Sequence, residues 1–80
     1  MDTELEKYYE GQFDLFITKG WKDILEDLQK LRASISDITT VADAQTLHYR
    51  QGQIDIIDLL LNRKAACDKA YEELKDEENV

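Results

Sequence analysis

The side chains that could do chemistry are few and dispersed. His48 is the only histidine, with Asp43 five residues before it and Asp55 seven after. Acid–base catalysis or metal binding needs partners that converge within hydrogen-bonding or coordination distance. A single imidazole with no second His or Cys at ligand spacing reads instead as a surface or interface residue. Glu26-Asp27, Asp55 with Asp58, and Glu72-Glu73 are carboxylate pairs of the kind that move protons or hold divalent cations. Asp55 and Asp58 share a helical face at i,i+3, yet the Glu-x-x-His motif of bundle metal sites is missing. Solvated faces are the better reading. Cys67 is the only cysteine, which leaves no disulfide within the chain and no cysteine-based metal site. Inside a helical pattern it reads as a small apolar core residue. The sequence holds no glycine-rich phosphate loop, nucleophile elbow or Cys-x-x-Cys, and Ser34 and Ser36 suit capping. The expectation is a protein that is not an enzyme, with no cofactor and no metal.

Aromatic residues say more. Trp21, Tyr8, Tyr9, Tyr49 and Tyr71 belong to the types enriched at binding hot spots, although at helical spacing aromatics more often fill a core. The elements that would position them follow from composition. Eighty residues, 42% of them hydrophobic, make at most one domain. There is no proline, and glycine occurs only at positions 11, 20 and 52. So few breakers point to long helices. The net charge of −8 argues against binding a phosphate backbone directly, where clustered Lys and Arg supply most of the affinity. It suits a basic protein partner or mimicry of a polyanion. The acidic N-terminal residues and the lack of an apolar run after them do not resemble a signal peptide, so an intracellular location is expected.

From Thr3 to Ile35, Leu5, Tyr9, Phe13, Phe16, Ile24, Leu28, Leu31 and Ile35 form one apolar row at helical spacing. The row keeps its phase across Lys19-Gly20. That predicts one helix over about 3–35, roughly 50 Å long, with Gly20 as the place for a kink or a break. Residues 36–40 form the predicted loop. Thr40 is then the N-cap of a second helix over about 41–75, with Asp43 at its third position. Residues 76–80 are acidic, which is unfavourable at a helix C-terminus, and are expected to fray.

Two such helices make a long antiparallel hairpin, an all-α single domain over 1–80. The hydrophobic run Tyr49–Asn62 is too rich for one facing helix. Leu47, Ile54, Ile57, Leu61 and Ala65 make one row, while Tyr49, Ile56, Leu60, Cys67, Tyr71 and Leu74 make another, widened by Leu59. Each aliphatic left uncovered forgoes about 1.5–3 kcal/mol of burial. Dimerisation into a four-helix bundle is the simplest way to cover the second row. A monomer of three helices broken at Gly20 is the competing solution. The predicted interaction surface is Trp21, Tyr49, Ile56, Leu59, Leu60 and Tyr71, with Gly52 as a point of close contact.

Several stretches carry a resemblance. Tyr8-Tyr9, Gly20-Trp21-Lys22 with Ile24-Leu25-Glu26-Asp27, Tyr49-Arg50-Gln51-Gly52-Gln53-Ile54-Asp55-Ile56, Leu60-Leu61-Asn62 and Ala70-Tyr71-Glu72 together resemble short acidic helical proteins of tailed bacteriophages with podovirus-like genomes. The resemblance covers most of the chain and implies a phage origin, in the host cytoplasm or on the virion, with no functional residues to carry over. The expected function is a protein–protein interaction module, binding itself or docking on a larger complex such as a virion protein. The alternative is an acidic inhibitor of a host nucleic-acid-binding enzyme or defence complex. Neither reading involves a membrane.

Overall fold

The computed structural model describes residues 2–78, and it is all-α. In chain order it holds α1 (Thr3–Phe16), α2 (Lys19–Ile35), a 3₁₀ turn (Ile38–Thr40), α3 (Ala44–Leu61) and α4 (Arg63–Glu78). Where a single domain was expected, the chain divides into two compact units. Unit 1 is Met1–Lys22 with Asn62–Val80, and unit 2 is Asp23–Leu61.

The expected helix over 3–35 is two helices, and Gly20 is not the break. α1 ends one turn earlier, where the Thr18 amide bonds to the Leu15 carbonyl at 3.0 Å. The Thr18 hydroxyl donates to the same carbonyl at 2.7 Å and accepts from the Trp21 amide at 3.2 Å. Thr18 is thus the N-cap of α2, its oxygen satisfying one of the amides that a helix start leaves unpaired. Gly20 has no left-handed backbone and lies inside the first turn of α2. The hydrophobic phase survives because the interruption is only two residues long.

Unit 1 is built on α1 packed against α4. Asp2 caps α1 by accepting from the Glu4 amide at 3.2 Å, and Glu4 and Glu6 favour the positive end of the helix dipole. Tyr9, Phe13 and Phe16 then recur at i, i+4 and i+7 along one face. The Tyr71 ring of α4 meets Phe13 edge-on at 5.5 Å and Tyr9 at 5.9 Å. Phe16, with Trp21 at 5.5 Å, and Cys67 are the buried residues of this unit. Edge-to-face aromatic contacts of this kind add about 0.5–1.5 kcal/mol to their area burial. Outside the core, Arg63 donates to the Tyr8 hydroxyl and, at 3.5 Å, to the Gln12 side chain.

Unit 2 joins α2 to α3 through residues 36–43, a longer connection than the predicted 36–40. Asp37 closes the 3₁₀ turn by accepting from the Thr39 amide at 3.0 Å and from the Thr39 hydroxyl at 2.6 Å. Thr40 is not the cap of the next helix, because it belongs to that turn. The cap is Asp43, which accepts from the Thr46 amide at 2.7 Å; a carboxylate there also suits the helix dipole. Arg50 reaches back from α3 to the Thr40 hydroxyl and to the Thr40 and Asp37 carbonyls at 3.4 Å.

The predicted second helix over 41–75 is likewise two helices. It is interrupted at Asn62, a residue type whose side chain competes for the backbone, although the Asn62 carbonyl still accepts from the Ala66 amide at 3.0 Å. α4 continues to Glu78, so residues 76–78 of the acidic tail are helical. Lys64 pairs with Asp68 at 3.1 Å along α4, and the Lys75 ammonium lies 5.3 Å from the Tyr71 ring centre. Both support the helix from its own side chains. Residues 79–80 lie outside the described residues.

Thr18→Ala removes the cap acceptor of α2 and should lower the unfolding free energy by about 1 kcal/mol, while Thr18→Ser keeps it. Denaturant titration followed by circular dichroism checks this. Equal losses for the two variants would show that the hydroxyl does not set the boundary.

Candidate functional site

α3 carries two apolar faces, one turned inward and one outward. Ile57 is buried, with Ile54 and Leu61 half-buried on the same side. On the other side Tyr49 is 69%, Ile56 59% and Leu59 65% exposed, with Leu60 beside them at 38%. The separation of the two predicted rows therefore holds from Tyr49 to Leu61 but fails at Leu47, which belongs to the inward row and is 40% exposed.

Between α3 and α2 lies an open apolar groove of about 580 Å³. Ile57 and the half-buried Ile35 form its floor, Leu31 its α2 wall, and Tyr49 and Ile56 its α3 wall. Gly52, one turn from both Tyr49 and Ile56, leaves a gap in that wall. His48 and Gln53 supply the polar lining. Leu31 and Ile24, each 49% exposed, extend the apolar surface along α2. They stand seven residues apart, close to two helical turns. That spacing puts them on one face with the half-buried Leu28 and Ile35, so the sequence carries no signal of their exposure.

The groove is braced by one ion pair. The Arg32 guanidinium, on α2, donates from Nε to Asp58 Oδ1 at 2.7 Å and from Nη2 to Oδ2 at 3.3 Å. This forked geometry fixes orientation as well as distance. The hydrogen bond with Arg32 holds the Asp58 carboxyl below its ordinary range, and the same bond raises Arg32. Asp37 is lowered by the Thr39 hydroxyl and amide, and Asp43 by the Thr46 amide.

The six predicted interaction residues are divided between the two units. Tyr49, Ile56, Leu59 and Leu60 share the exposed face of α3 in unit 2. Tyr71 is instead packed on Tyr9 and Phe13 in unit 1, and Trp21 is half-buried against Phe16. Cys67 is buried, as its reading as a small apolar core residue expects, although the row it was grouped with was expected to be uncovered. The break at Asn62 is the physical reason, because residues beyond it belong to α4 and its packing on α1. Gly20 and Gly52 are not contact points inside the chain, since a methyl built on either meets nothing within 4 Å.

The groups considered for chemistry are placed apart. Asp43 caps α3, Asp58 is paired with Arg32, and Asp55 is exposed on α3. Among the described residues no three His, Cys, Asp or Glu side chains gather to hold a metal, and no helix is long and apolar enough to cross a membrane. No family model, curated protein or solved structure matches the chain.

Because Asp37, Asp43 and Asp58 have folded-state pKa values below their unfolded ones, their stabilisation is complete above the ordinary aspartate value of about 3.9. It is lost as pH falls through the folded values. Thermal unfolding midpoints of the wild type should hold steady down to about pH 5 and drop below about pH 4. Asp58→Asn should lie below the wild type at neutral pH and converge with it in acid. Parallel curves for the two proteins would exclude the ion pair as a source of the pH dependence.

Proposed function

We propose that the protein is a non-enzymatic protein–protein interaction module whose binding surface is the α2–α3 groove of unit 2. The observation that carries this reading is the distribution of exposed apolar side chains. Of the large hydrophobic residues left exposed among the described residues, Tyr8, Leu15 and Ile17 belong to unit 1. Ile24, Leu31, Ile38, Leu47, Tyr49, Ile56, Leu59 and Leu60 all belong to unit 2, where only Ile57 is buried. Contiguous apolar patches are uncommon on a surface that stays wet and mark binding sites when they occur. Aromatic and aliphatic anchors around a recess with a polar rim have the form of a hot-spot cluster. A phage setting, as a virion component or in the host cytoplasm, enters this proposal through the sequence resemblance alone.

Polyanion mimicry has less support. Asp37 and Asp43 serve as caps and Asp58 is held by Arg32, so these carboxylates stand where the helices need them rather than in a phosphate-like array.

Photo-crosslinking separates the two readings. A photoreactive residue at Leu59, on the apolar face, should give protein adducts in the cell, whereas one at Glu26, on the polar side of α2, should give none. Adducts from Glu26 alone would transfer the reading to acidic mimicry, and the absence of adducts from both positions would refute an interaction role.

A further inference from the structure

Gly52 is the glycine that lines the groove. Packing inside the chain gives no reason for it, because a Cβ there would meet open space, while glycine weakens a helix interior relative to alanine. What it does provide is a place where another backbone can approach α3 closely.

The stripe around it is self-complementary. Counting outward from the midpoint between Gly52 and Gln53, Tyr49 falls opposite Ile56 and Gln45 opposite Leu60. A twofold axis at that midpoint, with two α3 helices antiparallel, sets Tyr49 of each copy against Ile56 of the other. Reciprocity follows from any twofold axis; what this one supplies is an apolar pair on each side of its centre, flanked by Leu60 against Gln45 and Leu59 against Thr46. Charge allows it too. The face formed by Gln45, Tyr49, Gly52, Ile56, Leu59 and Leu60 carries no Asp, Glu, Lys or Arg, so two chains of net charge −8 meet there without opposing carboxylates. The area suffices. Tyr49, Ile56, Leu59, Leu60, Ile24 and Leu31, at about 100 Å² each, offer on the order of 600 Å². The polar residues between them bring the face near the ~800 Å² per partner of a standard interface.

We propose that a second copy of this chain occupies the groove, its α3 lying antiparallel across α3 about a twofold axis between Gly52 and Gln53, so that the two-helix layers of unit 2 close into a four-helix core. The proposal rests on the interaction reading above and names its partner.

Sedimentation equilibrium of the full chain should give twice the 9.3 kDa chain mass at high protein concentration. The dimer should tighten with added salt as the repulsion between acidic copies is screened. Ile56→Asp should weaken it by at least ~100-fold, because an unpaired carboxylate would be buried at the contact. Circular dichroism reports whether that variant keeps its helices. Gly52→Cys supplies a readout independent of that: under mild oxidation it should link two copies, while Gln51→Cys, one residue off the stripe, should not. A monomer at every concentration, an unchanged dimer in Ile56→Asp, or equal linking at positions 51 and 52 would each overturn the pairing. If the chain proves monomeric while Leu59 still crosslinks to a different protein, self-pairing falls and the interaction module stands.

Discussion

A layer of two helices can hide only one stripe of each, and unit 2 has more apolar surface than that geometry accommodates. Its buried interior reduces to Ile57, with Leu25, Leu28, Ile35, Ile54 and Leu61 half-covered around it. Everything else that is large and apolar in the unit lies outside the layer by construction. Rotating α3 to cover Tyr49 and Ile56 would expose Ile57 and Ile54 instead, since the two sets lie on different faces of one helix. The uncovered stripe is therefore a consequence of sequence and helix geometry together, and no side-chain adjustment within unit 2 removes it.

With so little interior, polar side chains take on a larger share of specifying the structure. Thr18, Asp43 and Asp37 each occupy a position where a helix or turn leaves amides unpaired, and Arg50 satisfies carbonyls of the connection from across α3. These contacts set where each helix begins, whereas the hydrophobic pattern sets only which face turns inward. Arg32 and Asp58 act at the next level. The forked pair ties α2 to α3 beside the groove that Leu31, Ile56 and Ile57 line, but at about two-fifths exposure of each side chain it adds little stability of its own.

The same division explains what could be read from the sequence. Helical character and the two faces of α3 were legible, because periodicity reports them directly and Gly and Pro are scarce. Helix ends were not. The phase of Phe13, Phe16, Ile24 and Leu28 runs through Thr18 because a two-residue interruption hardly shifts it, and Gly20 drew attention away from the hydroxyl two residues earlier. Thr40 with Asp43 three residues on matches a capping pattern in sequence, and only the 3₁₀ turn closed by Asp37 takes Thr40 out of the helix start and leaves Asp43 as the cap. Missing the break at Asn62 had the larger cost. It merged α4 with α3, and so placed Tyr71 and Cys67 on a face whose true members are Tyr49, Ile56, Leu59 and Leu60. Leu31 and Ile24 differ: on α2 they belong to the apolar row, and their exposure follows from where α3 lies over that row.

Acidity and stickiness are compatible in this protein because they are segregated. On α3, Asp58 is turned to Arg32 of α2, and the exposed Asp55 flanks the stripe beside Leu59, so that Tyr49, Ile56, Leu59 and Leu60 themselves form a strip without formal charge. A net charge of −8 repels other chains at a distance and suppresses indiscriminate collapse of exposed apolar surface. At contact, only a partner that matches the charge-free stripe escapes placing carboxylates against its own apolar face. Favourable burial then comes with correct alignment and repulsion with most others, which is how specificity arises from a surface whose attractive part is merely hydrophobic. Gly52 adds a steric condition to the electrostatic one, since the recess it leaves admits a close approach at a single place along α3.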